Sequence, residues 1–476
     1  MPKHSWFKQQ IEQEFDQINS LLPDLSDPEA EEEEFRNDFF QGLSGRRKKA
    51  AFVLSLVYGI VIMLYYLRWG DWLVSAFSLL FAIMTIRLIL AKPESPPPPL
   101  SETELTSAPQ VSLLVSAQNE EAVVTNLVEM LCSLDYPQDK YEVCIVNDRS
   151  TDKTGEILDS LITKYPALRV VHRDNEAGGG KSGALNQVLS ATKGEIIGVF
   201  DADAGVPQDL LRHVVPLFTS DSKLGAVQVR KAIANPNDNF WTRGQTTEMV
   251  LDAYLQQQRI ACGGIGELRG NGQFVRRTAL ESCGGWNEHT ITDDLDLTIR
   301  LHLDAWKIGL LESPPVREEA VKSVIALWHQ RNRWAEGGYQ RYLDYWRFLV
   351  NQPLGLSKRL DLYFFVLMQY ILPTATLPDM VMAFIYHRLP LLAPANTIVF
   401  AFTFWAGLAG LIRSRKTEKI TITLLLKSTF ASLQSLVYML HWLIIMPSVT
   451  LRMSIRPKKL KWVKTVHEGS FELKNS

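Results

Sequence analysis

The chain has 476 residues, enough for more than one folding unit, of which 46% are hydrophobic and 21% charged. That average is within the globular range and excludes neither a soluble part nor a membrane part. With 50 basic against 52 acidic residues the formal net charge is -2, so no positive excess points to a nucleic-acid partner.

Residues 1–50 carry the acidic run "DPEAEEEEF" and few aromatics before Phe35, and read as a disordered cytoplasmic segment. Two almost wholly apolar stretches follow, Ala51 to Leu67 and Trp72 to Leu90, each about the length that crosses a hydrocarbon core of ~30 Å. The first lies too far from the start, behind too much negative charge, to be a secretory signal. Arg46, Arg47, Lys48 and Lys49 directly before it keep that end cytoplasmic, and the second stretch (the pair spanning 51–91) returns the chain to the same side. Residues 92–110, "KPESPPPPLSETELTSAPQ" being the core of the stretch, read as a stiff, exposed linker.

Residues 111–348 read as a soluble domain on the cytoplasmic side. Its cysteines, Cys132, Cys144, Cys262 and Cys283, have no CxxC spacing and suggest reduced packing residues. The runs "VSLLVSA", "YEVCIVND", "LRVVHR", "EIIGVF" and "AVQVR" are strand-like, and amphipathic stretches of helical length, Glu120 to Leu134 and Thr154 to Tyr165, lie between them. The alternation predicts an α/β fold with a mostly parallel sheet covered on both faces, in which ligands gather at the carboxyl ends of the strands. Three of these ends are polar: "SAQNEE", "NDRSTDKT" and "DAD".

Asp201 and Asp203 at one strand end can approach a hard divalent cation that bridges to phosphate, although Asp-Ala-Asp-Ala-Gly is also good turn sequence. "GGGKSG" has the look of a P-loop, but the required first glycine is Asn175, so a nucleotide triphosphatase is only a runner-up; Lys181 is expected to neutralise anionic charge or to lie just ahead of a helix starting near Ser182. "TDDLDLTIRL" sets Asp293, Asp294 and Asp296 at a helix start, where capping explains some acids but three within four residues leave one available to take a proton. "VIALWHQRNRWAEGGYQRYLDYW" is amphipathic, aromatic and cationic: an interfacial helix, or a surface where arginine beside an aromatic holds a diphosphate and a sugar ring.

Residues 349–450 turn apolar at Leu362 to Tyr386, Thr397 to Ile412 and Thr429 to Met446, and residues 451–476 form a basic tail. Three single crossings would put that tail outside, against the positive-inside tendency. Either the segment holding Pro373 and Pro378 breaks into two passes, or one segment lies in the interface.

Together these motifs resemble the family 2 glycosyltransferases of GT-A fold, the group that includes cellulose and hyaluronan synthases, over about residues 111–348 and the flanking spans. The resemblance implies a Rossmann-like catalytic domain flanked by transmembrane helices, in a multi-pass membrane protein. It implies donor nucleotide-sugar binding by Asn119, Glu120, Asp148, Lys181 and Asp201, with Asp148 at the uracil, and metal binding by Asp201 and Asp203, Mg2+ first and Mn2+ second. "TDD" is similar to the family's TED motif, with Asp294 as catalytic base and Asp293 in the place of the usual glutamate. "QRNRW" is a full QxxRW, so Gln330, Arg333 and Trp334 belong to the acceptor and diphosphate region, with Asn271 and Gln273 lining the same cleft. Within the family the layout resembles enzymes that glucosylate lipid. It implies inverting transfer of glucose from UDP-glucose to the 3-hydroxyl of 1,2-diacylglycerol at the bilayer surface. A processive β-glycan synthase would use the same residues, and a membrane protein that only binds nucleotide sugars is an alternative of another class.

Overall fold

The structure is a computed structural model that describes residues 46–174, 176–351, 354–415 and 421–455. The expected acidic segment (apart from residues 46–50) and most of the basic tail lie outside the described residues.

Helices α1 (Arg46–Tyr66) and α2 (Gly70–Leu90) come first. Each is long and apolar enough to cross a bilayer, where a backbone must satisfy its own hydrogen bonds. Phe52, Trp72, Leu79 and Leu80 project outward from them with no protein neighbour to cover them, as lipid-facing side chains do. The proline-rich stretch departs from expectation in its second half. A capped turn at Glu102–Leu105 buries Leu105, and Arg212 ties it down through the Leu100 carbonyl at 3.1 Å and Glu102 at 2.5 Å. The linker therefore docks on the domain that follows.

That domain alternates β1 (Val111–Ala117), α3 (Val124–Cys132), β2 (Tyr141–Asp148), α4 (Thr154–Ile162), β3 (Leu168–Arg173), α5 (Gly180–Leu189), β4 (Ile196–Phe200), α6 (Leu210–Ser220) and β5 (Leu224–Ile233). A long α7 (Phe240–Ala261) leads to β6 (Gln273–Arg276), α8 (Arg277–Ser282), α9 (Asp293–Leu303), β7 (Lys307–Glu318) and α10 (Val324–Asn351). The seven-stranded sheet has the order β3-β2-β1-β4-β6-β5-β7. All pairs are parallel except those made by β6, which runs antiparallel between β4 and β5. The central strands read as unbroken apolar runs because both faces are covered: Leu113, Val115 and Phe200 enter one core, Leu114, Ile197 and Val199 the other. Parallel pairing brings the ends of β1, β2 and β4 to one edge.

After α10, α11 (Leu356–Val366) passes through a π-helical turn at Leu367–Ile371 into α12 (Leu372–Ile385), a helical stretch of 30 residues. The prolines do not divide it: Pro373 follows the π-helical turn directly, and Pro378 lies inside α12. The helix break falls later, between α14 (Ile422–Met439) and α15 (Trp442–Ile455), which follow α13 (Ala393–Arg413). Counting α11–α12 and α14–α15 as single stretches, five among the described residues could cross a membrane by length and composition.

The soluble and apolar parts are joined by charge as well as by packing. Glu267 is 1% exposed and contacts Arg259 at 3.3 Å, Arg269 at 2.6 Å and Arg341 at 3.3 Å. Arg259 also pairs with Asp361 of α11 at 3.0 Å and lies 3.9 Å over the Phe365 ring. Burial alone would raise the Glu267 carboxyl, but Arg341, Arg269 and Arg259 overcome it and hold it far below the usual carboxylate range. Removing that one anion leaves buried guanidinium charge uncompensated. Glu267→Ala is therefore expected to destabilise the protein by about 3–5 kcal/mol. Thermal unfolding of the detergent-solubilised full chain measures this, and an unchanged midpoint would contradict the reading.

Candidate active site

The site begins at the edge where the parallel strands end. Asn119, after β1, has a positive φ of 55°, which turns its side chain to accept from the Thr151 N–H at 2.7 Å. The Glu120 N–H donates to Thr154 Oγ1 at 2.8 Å, so the loops after β1 and β2 are sewn together. Asp148, the last residue of β2, is buried and pairs with Arg173 at 2.8 Å. Arg173 stands in register with it at the end of β3 and also donates to the carbonyls of Gly178 and Gly180 at 2.5 and 3.2 Å. The glycine-rich segment is thus tied to the edge where the parallel strands end by an arginine that sequence reasoning missed; its position at the end of "LRVVHR" was the available signal.

Lys181 lies inside the first turn of α5, not ahead of a helix starting at Ser182, because α5 already begins at Gly180. From there its ammonium reaches Asp201 Oδ1 at 2.5 Å. Burial on its own would lower the Lys181 pKa; the fields of Asp201, Asp293 and Asp294 together raise it well above the ordinary value. That pattern puts three carboxylates around one cation. Asp203, two residues on, accepts from the Glu319 N–H at 3.4 Å just beyond β7.

Asp293 and Asp294 open α9, where the helix dipole favours negative charge. Burial nonetheless dominates. It pushes the Asp293 carboxyl up, opposed by Lys181, and pushes Asp294 up to about 6, with the Asp293 charge adding to the rise and Lys181 and Lys231 opposing it. "RGNGQF" turns back toward these acids through two left-handed glycines, Gly270 at φ 82° and Gly272 at φ 74°. A Cβ on Gly270 would stand 3.5 Å from Asp294 Oδ2. Between the glycines, Asn271 accepts from the Asp201 N–H at 3.3 Å, and its buried Nδ2 has no hydrogen-bond partner among the described residues. Gln273, on β6, is fully buried with neither side-chain polar atom bonded.

The QxxRW segment lies on α10. Burial lowers the Arg333 pKa and the charges of Asp201 and Asp294 pull it back up, so Arg333 faces the same acids as Lys181. Trp334 has Arg331 4.1 Å and Lys231 5.2 Å from its ring centre, and Gln330 accepts from Arg331 at 2.7 Å. Lys231 pairs with Glu318 at 3.1 Å. Neither partner was expected from the sequence, because a lysine in a half-buried strand reads as surface.

Hydrogen bonds therefore join Lys181 and Asn271 to Asp201, and the charges of Asp293 and Asp294 act on Lys181, and those of Asp201 and Asp294 on Arg333, with Asp203 two residues from Asp201. Asn119, Glu120 and Asp148 form the neighbouring strand-end group, while Gln330 and Trp334 contact Arg331 and Gln273 is buried without a hydrogen-bond partner among the described residues.

Residues 109–337 match the family described as "Glycosyltransferase like family 2". The chain is 57% identical to the "Beta-monoglucosyldiacylglycerol synthase" of Synechocystis sp. over 100% of both chains. It is 52% identical to the protein of the same name from Nostoc sp., over 99% of this chain and 100% of that one. The chain belongs to the family 2 glycosyltransferases. The mannosyltransferase PcManGT of Pyrobaculum calidifontis, solved in complex with GDP-Man and Mn2+, has a TM-score of 0.53 at 22% identity over 80% of this chain and 99% of its own, a likeness of GT-A fold.

In this glycosyltransferase the donor set at Asp201 and Asp203 is all oxygen and anionic, which fits a hard divalent cation. Among the described residues no cluster of three or more potential ligands closes around one point. Two carboxylates with coordination positions left for a diphosphate fit that chemistry better than a closed structural site would.

The base role expected of Asp294 requires its ionised form, so on that role the rate rises with pH through the Asp294 value of about 6. A plot of log kcat/KM against pH is expected to show an acidic limb near that midpoint, and Asp293→Asn to move the limb downward by removing the adjacent charge. A limb at the ordinary aspartate value of about 4 in the unaltered protein would contradict this.

Proposed function

We propose that the protein transfers glucose from UDP-glucose to the 3-hydroxyl of 1,2-diacylglycerol, releasing UDP and β-monoglucosyldiacylglycerol, with the catalytic domain on the cytoplasmic side. The observation that carries the reading is the full-length likeness to β-monoglucosyldiacylglycerol synthases, which extends beyond the catalytic domain through every apolar helix.

Asp148, held by Arg173, receives the uracil, and the loops at Asn119 and Glu120 border the donor. Asp201 and Asp203 would hold the divalent cation, Mg2+ or Mn2+. When bound, the cation supplies positive charge against the diphosphate. Lys181 and Arg333, both in the field of Asp201, stabilise the charge that grows on UDP as its bond to the sugar breaks. Asp294 accepts the proton of the acceptor hydroxyl while that oxygen bonds to the anomeric carbon from the opposite face, so an α-linked donor yields a β-glycoside. Burial, with the like charge of Asp293 adding to it, keeps Asp294 basic. Gln330, Trp334, Asn271 and Gln273 border the acceptor. The apolar helices joined to this domain bring a lipid hydroxyl within reach where a soluble enzyme would have to extract it.

Thin-layer analysis of membranes given labelled UDP-sugars tests the reading. UDP-glucose with diacylglycerol is expected to give one organic-extractable monoglucosyl lipid; a long glycosidase-sensitive polymer would establish the processive alternative instead. Asp294→Asn should reduce transfer by about 10²–10⁴-fold, the usual worth of a general base, with UDP binding kept. Retained transfer would remove Asp294 from that role.

A further inference from the structure

The acceptor side of the site is held by a buried cluster that none of the roles above uses. Glu248 lies on α7, one turn after Gly244, so the two share a helix face. The Glu248 carboxylate accepts from Tyr438 Oη at 2.8 Å, from Trp442 Nε1 at 3.0 Å and from the Arg331 guanidinium. Tyr438 is in the last turn of α14 and Trp442 opens α15, so two donors come from the break in the final apolar stretch. Gly244 makes the contact possible. A Cβ there would stand 2.3 Å from Tyr438 Cδ2, so only glycine lets the tyrosine ring lie against α7 with its hydroxyl over Glu248.

From Glu248 the cluster leads directly to QxxRW. Arg331 is fully buried and occupies the first variable position of that motif. It bonds Glu248 and Tyr438 with one nitrogen, donates to Gln330 Oε1 at 2.7 Å with another, and stacks 4.1 Å from the centre of the Trp334 ring. A buried charge-assisted bond fixes geometry more tightly than an exposed one, since water cannot replace it. We infer that Glu248, Arg331 and Tyr438 form a positioning clamp, through which the final apolar stretch, α14–α15, holds Gln330 and Trp334 in the orientation that receives the acceptor lipid. These are positioning residues: none contacts the acids of the site, and each acts through Gln330 and Trp334. The inference rests on the acceptor role proposed above for those two side chains.

The clamp makes acceptor use, and not donor binding, depend on the final apolar stretch. It is tested with the full chain in phospholipid nanodiscs, comparing the unaltered protein with Tyr438→Phe, Glu248→Gln and Gly244→Ala. Tyr438→Phe keeps the ring and loses the two hydrogen bonds of its hydroxyl, to Glu248 and from Arg331, and so is the mildest change. UDP binding stoichiometry corrects each preparation for its folded fraction. Expected is a fall in kcat/KM for diacylglycerol of about tenfold to 100-fold in Tyr438→Phe, as for loss of buried hydrogen bonding to charged groups, and a larger fall in Glu248→Gln and Gly244→Ala. The Kd for UDP should stay within about twofold, well below the effect of losing such a bond. A merely structural role predicts fewer folded molecules with normal kinetics per UDP site. Normal corrected kinetics, or equal losses of acceptor use and UDP affinity, would overturn the clamp. The unaltered protein is assayed beside the variants: if it makes no glucosyl lipid, the acceptor reading fails and the clamp with it, whereas a normal wild type with unaffected variants overturns the clamp alone.

Discussion

The ion pair between Lys181 and Asp201 is the contact on which the site depends. It joins the first turn of α5 to the end of β4, and so makes the glycine-rich segment and the Asp-Ala-Asp turn parts of one surface. It also makes a crowded set of acids tolerable. Asp201, Asp293 and Asp294 act on the same ammonium, with Arg333 adding positive charge from α10. Without cations, such carboxylates in a region of low exposure would repel one another and any diphosphate. The acids that suit chemistry thus create the need for positive charge, and that need selects an anionic donor.

A second constraint is the fixed relation of this cleft to the apolar helices. Arg46 forks onto Asp344 of α10 at 2.7 and 2.6 Å, and Arg259 bridges Asp361 and Glu267. Buried ion pairs of this kind add little net stability, but they forbid sliding, because every alternative arrangement strands a charge. α10 carries the QxxRW residues near one end and Asp344, the partner of Arg46, near the other, so the proposed acceptor residues and the contact with α1 share one helix.

β1, β2 and β4 were legible because both faces are buried and their apolar runs are long, and β3 and β5 by their β-branched residues, although β3 is a half-exposed edge strand. β6 and β7 were not. β6 has four residues whose strand character comes from its two antiparallel neighbours, and β7 mixes Glu312, Pro314, Pro315 and Arg317 into a half-buried edge. Polar motifs at strand ends were readable as chemistry, since Asp201, Asp203 and Asp294 have no packing reason to be where they are. Their partners were hidden. Arg173 finds Asp148 through strand register, and Arg331 looks like one more charge on an amphipathic helix until α7 and α14 close over it. The linker misled for a related reason: Leu105 reads as one apolar residue in a polar stretch, but the Ser101 and Glu104 cap gives it a helical turn that aims it inward.

The account reduces to electrostatics: an acidic cleft that takes a diphosphate only in company with a cation. The most direct measurement is calorimetric titration of UDP into the solubilised full chain, with a divalent cation and again in excess chelator. The account predicts that chelation weakens UDP by at least about tenfold, the 1.4 kcal/mol that loss of one charge-assisted contact would amount to. Equal affinity in both solutions would contradict it, since the acids would then not be facing the phosphates.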